Sequence, residues 1–287
     1  MSTELPARAI SGPADPARPG AALAGLLKYG AIARVTLATQ TAYLGEVAVR
    51  TIFMAIVLYI FVQLWTVTYQ ALGRQTVAGF TVAQMIWYLT VTESILISRP
   101  RVSREIDQDV RSGDVAYQLI RPYDYVLFRL AAYLGERALR FGSCLAVGVL
   151  LALLYVGPIE LDPAAVLAAG LIVLVGAVVD FMCAVAVGLT AFWIEDTQPL
   201  QLLYDRAIML LGGLLLPLEL FPDWIARLLA ALPFQLILYA PARIAVTGDL
   251  SSLTLILAQL ALTLAVALAL ARGVFALATR RLHANGG

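Results

Sequence analysis

AAVLAAGLIVLVGAVVDFMCAVAVGLTAFW, residues 164–193, decides what kind of protein this is, for its only charge is Asp180. A helix needs roughly 20 mostly apolar residues to cross the hydrocarbon core of a membrane, because lipid offers backbone groups no hydrogen-bond partners. The stretch is longer than that. Outward from it, uncharged runs of suitable length occur at Thr51–Gly73, Gln75–Thr92, Phe141–Ile159 and Leu250–Ala271. A further run, Pro199–Leu218, carries Asp205 and Arg206 in its first turns. These stretches predict an all-α, polytopic membrane protein with six transmembrane helices. Composition agrees: of 287 residues, 61% are hydrophobic and 14% charged, against roughly a quarter charged in a soluble domain. Length alone would suggest about two soluble domains; the hydropathy replaces them with one bundle.

An even number of spans puts both termini on one side, and the basic residues say which. Arg8, Arg18, Lys28, Arg34 and Arg50 precede or open the first span, and eight arginines lie between Arg99 and Arg140. Arg206, Arg272, Arg280 and Arg281 complete that side, whereas the opposite side holds Arg74, Arg227 and Arg243. Positively charged loops stay cytoplasmic, so the termini and the loop 99–140 are expected there. Residues 1–20 are rich in Pro, Ala and Gly without an apolar signal core, which reads as a disordered cytoplasmic tail. Gly20–Val49 reads as an interfacial or elbow helix leading into the first span. Leu216–Asp249 is interrupted by Pro217, Pro222, Pro233 and Pro241. Short re-entrant helices dipping in from the extracytoplasmic side over 217–250 are expected instead of a span.

Several chemistries are disfavoured. A net charge of +1 gives no hold on nucleic acid. A phosphate-binding P-loop needs glycine followed by lysine, and the only lysine, Lys28, follows Leu27. The sole histidine is His283, beyond the last span, so neither a His/Cys zinc set nor a nucleophile–histidine pair can be assembled within the membrane. Only an all-carboxylate site stays open. Cys144 and Cys183 lie in apolar runs and read as small buried hydrophobes.

A charge at mid-bilayer costs roughly 2.5–3.5 kcal/mol on insertion scales, so each needs a reason. Asp180 either lines a translocation path or makes a structural hydrogen bond to a neighbouring helix. Glu93, at the end of the second span, and Arg50, opening the first, are expected to neutralise each other. Asp205 and Arg206 are expected at the cytoplasmic interface, where their heads can snorkel to water.

The loop reads EIDQDVRSGDVAYQLIRPYDY over Glu105–Tyr125. Charges alternate at helical spacing through Arg104–Arg111, Gly113 ends the helix, and Arg121-Pro122 makes a second break. Such an element is either a solvated surface helix or a plug for a separate protein. With AFWIEDTQPLQLLY (Ala191–Tyr204), LLLPLELFPDWIARLLAALPFQLILYAPARIAVTGDL (Leu214–Leu250) and KYGAIARVTLATQTAYLGEVAVR (Lys28–Arg50), this loop resembles the ABC-2 type membrane proteins, in particular a bacterial six-span branch.

The resemblance implies one ABC-2 type transmembrane domain over 21–287 that works as the permease of an ATP-driven exporter in the bacterial cytoplasmic membrane. It implies a second permease subunit, identical or homologous, and a separate ATP-binding subunit, so that the chain binds no cofactor itself and ATP sits in the partner. A coupling helix would carry or adjoin Glu105, Asp109, Arg111, Asp114 and Arg121, and the path would serve a hydrophobic or amphipathic cargo among membrane lipids. Two rival functions remain: an intramembrane lipid-modifying enzyme built on Asp180 and Glu93, and a structural anchor for a sensor complex.

Overall fold

A computed structural model describes residues 30, 31, 34, 44–119 and 124–285. The tail 1–20, most of the interfacial helix, the side chain of Arg50 and all of Arg121 lie outside the described residues; residues 30, 31 and 34 are helical.

The first long helix, α1 (Leu44–Leu72), is apolar on all sides but buries only one stripe. Met54, Leu58, Val62, Trp65 and Tyr69 recur every three or four residues and are buried, whereas Ile52, Phe53, Ile56 and Ile60 lie open. A helix that keeps large apolar side chains on its outward face is built for lipid. A small antiparallel hairpin follows, β1 (Thr76–Val77) with β2 (Phe80–Thr81); Tyr69 Oη donates to Phe80 O at 2.8 Å and pins it to α1. Thr81 and Gln84 then form a reciprocal capping box that starts α2 (Val82–Ile97). The second apolar run therefore becomes helical only from Val82, because the hairpin and cap take its first residues, and it continues to Ile97.

At the far end of α2 come α3 (Val102–Ser112) and α4 (Asp114–Leu119), then α5 (Tyr125–Tyr155). Residues 125–140, which the sequence places in a loop, form the first turns of α5, because Asp124 accepts the Leu127 amide at 2.8 Å and caps the helix there. Next are α6 (Pro163–Leu189), a 3-10 turn at Thr190–Phe192, and α7 (Gln198–Leu211). The proline-rich region is broken into α8 (Asp223–Ala231), α9 (Tyr239–Thr247) and two 3-10 turns, before α10 (Leu253–Asn285) closes the chain.

Among the described residues, four stretches are long and apolar enough to cross a membrane: Thr51–Leu72, Tyr125–Tyr155, Pro163–Phe192 and Leu253–Arg280. The 16 residues of α2 and 14 of α7 rise about 24 and 21 Å, short of a hydrocarbon core of roughly 30 Å. The most enclosed of the four is α6, which packs against α10, α9 and α3. On the other side α5 holds α1 and α2. Trp87 Nε1 donates to Gly157 O at 3.0 Å, so the hairpin end of α2 and the α5–α6 turn share one end of the bundle. At the opposite end Thr197 Oγ1 donates to Asp107 Oδ1 at 2.8 Å, joining the α7 start to α3.

Candidate functional site: a buried ion cluster beneath a clamped helix

Proline at position 100 ends α2, because the residue before a proline avoids helical geometry. The chain turns at Arg99, and the guanidinium reaches back into the bundle. Its Nε and Nη2 meet Asp180 Oδ2 and Oδ1 at 2.9 and 2.8 Å, a two-pronged pair, and its Nη1 meets Asp205 Oδ1 at 3.0 Å. Arg137 Nη1 donates to Asp180 Oδ2 at 2.9 Å. Tyr133 and Tyr204 each donate a hydroxyl to the same carboxylate at 2.9 Å. Their rings also lie against the cations, Tyr204 under Arg99 and Tyr133 under Arg137, each 5.5 Å from guanidinium carbon to ring centroid.

The electrostatics follow from burial. Asp180 is 2% exposed and Arg137 4%, and a buried charge is tolerable only when paired and hydrogen-bonded. Two arginines face two aspartates, so the cluster is neutral as a whole. It ties together the α2–α3 turn, α5, α6 and α7. Asp180 was visible in the sequence as an intramembrane charge; its partners were not, since Arg99 and Arg137 looked like loop residues. One signal lay in the spacing of Tyr133 and Arg137, four apart and on one helical face. Glu93 is buried in α2 at 4% exposure, and among the described residues it has neither an ion-pair nor a hydrogen-bond partner. Asp180 lines a cavity of about 550 Å³ between α2, α3, α6 and α7, and Glu93 does not.

Above the cluster, α3 is clamped to the bundle. Val102 and Ile106 are buried, each contributing roughly 1.5–3 kcal/mol on burial. Gly188 of α6 lets them approach: a Cβ there would meet Ser103 O at 2.8 Å and Ile106 Cβ at 2.9 Å. Glu105 pairs with Arg129 of α5 at 2.9 Å. Asp109 pairs with the same arginine and accepts the Tyr125 hydroxyl at 2.9 Å. Arg111 pairs with Asp107 at 2.9 Å, and the helix ends at Gly113, whose φ of 81° suits glycine. Asp114 is exposed at the start of α4 and accepts the Ser112 hydroxyl at 2.8 Å. Asp109 thus faces the protein's own bundle, whereas Gln108 and Arg111 are exposed, as is Tyr117, at 73%. Tyr117, Asp107 and Arg129 are the participants that the charge pattern alone did not single out.

At the far end, Glu219, Tyr239, Arg243 and Asp249 form a second polar group, with Arg243 bonded to Glu219 at 2.8 Å and to Asp249 at 3.0 Å. Hydrogen bonds from Ser251, and behind them Arg243, hold the Asp249 carboxyl down to about 2. Among the described residues no set of His, Cys, Asp and Glu could hold a metal ion. Cys144 is buried and Cys183 partly so, and the two are not joined in a disulfide.

Long apolar helices around a neutral ion cluster, with a short charged helix clamped at one end, define a multi-pass membrane protein. The chain belongs to the ABC-2 family of transporters: the family model described as ABC-2 family transporter protein matches residues 24–286. Its role is that of a transporter permease, in a family whose members generally pair with an ABC ATP-binding subunit. No curated protein matches the chain.

Proposed function

We propose that the chain is the permease half of an ATP-driven exporter in the bacterial cytoplasmic membrane, working as a pair with a second permease, identical or homologous. In this reading α1, α2, α5, α6, α7 and α10 are the six spans, α2 fitting although short because protein and not lipid covers most of its surface. Both termini, α3 and α4 are cytoplasmic. The segment 217–250 enters from the other side as short re-entrant helices. The chain binds no cofactor and catalyses no reaction; ATP is bound and hydrolysed by the partner, and the path between permeases carries a hydrophobic or amphipathic cargo.

The observation that supports coupling is the mechanical continuity of α3 with the bundle. Gly188 seats it on α6, Arg129 and Tyr125 hold it to α5, and Thr197 holds it to the start of α7. Arg99, three residues ahead of it, is bonded into the Asp180 cluster. A displacement of α3 by a docked ATPase is therefore passed to three helices at once. The outward residues Gln108, Arg111 and Tyr117 form the docking face, with Tyr117 as the aromatic anchor that interfaces favour.

The test is co-purification of the chain with an ATP-binding-cassette subunit from the same cells, followed by transport in vesicles. Charge reversal at Asp109 and Arg111 together is expected to abolish transport while membrane insertion stays intact. Normal transport by that double variant would sink the coupling role of α3.

A further inference from the structure

The cavity beneath α3 has a mixed lining. Its charged part is Arg99, Arg101, Arg104 and Arg206 with Asp180 and Asp205. Arg99 engages both aspartates. Among the described residues, Arg101, Arg104 and Arg206 have no carboxylate partner, and Arg206 reaches only the Met209 sulfur, at 3.7 Å. Arg99 and Arg137 balance the two aspartates, so these three arginines leave an excess of three positive charges among the described residues of the site. Its apolar part includes Leu96, Leu202 and Met209, the last two flanking Arg206 on one face of α7. Leu202 is 56% exposed and continues onto Leu203 and Leu210 along the outer face of α7, exposed 65% and 61%.

A third observation is independent of charge. Gln201 lines the cavity and is 5% exposed, its Nε2 donating to Thr197 at 2.7 Å. Its carbonyl Oε1 is buried with no partner among the described residues. A buried acceptor left open is costly unless a donor arrives.

We propose that this cavity is the loading site for a phosphate-bearing amphiphile. The proposal names the cargo class for the permease reading above and rests on it. The headgroup lies against Arg101, Arg104 and Arg206, whose planar forks bind phosphate oxygens in pairs. A phosphate monoester, which carries about −1.5 to −2 at neutral pH, offsets most of that excess. The tail follows Leu96, Leu202 and Met209 out along α7, and a headgroup hydroxyl donates to Gln201. A water-soluble anion would leave the apolar part bare, and a neutral amphiphile would leave the arginines repelling one another. The volume, about 550 Å³, lies within the roughly 300–1,000 Å³ of ordinary ligand sites.

The experiment is calorimetric titration of the full chain in phosphatidylcholine nanodiscs with decyl phosphate, inorganic phosphate and decyl maltoside, with protein-free nanodiscs as the blank. Saturable binding of decyl phosphate alone is expected. Arg101→Gln with Arg206→Gln should weaken it at least about tenfold, the scale of one lost charge-assisted hydrogen bond, whereas Arg101→Lys with Arg206→Lys should keep it within about threefold. Equal binding of inorganic phosphate would reduce the site to a free-anion site and overturn the proposal. Equal binding of decyl maltoside would remove the role of charge, and indifference to the glutamine pair would remove the site from this cavity. Retention of the ATP-binding subunit is scored on the same preparation: a chain that binds decyl phosphate yet never retains that subunit refutes the permease reading and not the site.

Discussion

At the scale of single residues the fold depends on one carboxylate. Asp180 accepts from Arg99, Arg137, Tyr133 and Tyr204, and removing its charge leaves two buried cations with little compensation. Asp180→Asn should therefore cost about 3–5 kcal/mol, read as a large drop in the thermal midpoint of the detergent-purified chain by fluorescence-detected gel filtration. Adding Arg137→Gln should recover part of that loss, because a double-mutant cycle between bonded partners is non-additive; strict additivity would show that the pair does not interact. Hydropathy exposed Asp180, since any charge in such a run stands out. It could not expose Arg99 or Arg137, because the Asp180–Arg99 contact joins residues 81 positions apart and composition carries no such distance. The Glu93–Arg50 pairing is likewise a statement about tertiary neighbours, and the Arg50 side chain lies outside the described residues.

At the scale of elements, the junction of α3 with α6 is the most constrained. Gly188 has no room for a side chain, since a Cβ would lie 2.8 Å from a backbone oxygen. Gly188→Leu should lift α3 from the bundle and lower retention of the ATP-binding subunit several-fold in a pull-down. Gly142→Leu on α5, where a Cβ meets nothing within 4 Å, should retain the subunit at wild-type level; equal losses in both variants would mean that close packing at 188 is irrelevant. Helix α3 was legible in the sequence from its alternating charges and from Gly113. Which of its charges turn inward was not. Glu105 and Asp109 bond to Arg129 because α5 begins at Tyr125 and brings that arginine alongside. The start of α2 was misjudged for a local reason: hydropathy does not register that Thr81 and Gln84 cap a helix after a hairpin.

At the scale of the whole molecule, the basic residues predict an orientation that labelling can read. In a background lacking Cys144 and Cys183, a cysteine at Tyr117 should react with a membrane-impermeant maleimide only from the cytoplasmic side, and one at Ser251 only from the other. Labelling of both from one side would exclude six spans in this order. The apolar run at 164–193, the excess of arginine on one side and the prolines of 217–250 settled, unaided, that this is a helical membrane protein with an interrupted segment before its last helix. They could do so because lipid solvation acts on each residue along the chain, so its demands are written locally. Tertiary structure alone decided that Arg99, Arg137 and two tyrosines converge on Asp180, that α3 rests on Gly188, and that three arginines share a cavity with apolar side chains. Those are pairings between distant segments, set by how the helices pack, and packing is a property of all of them together.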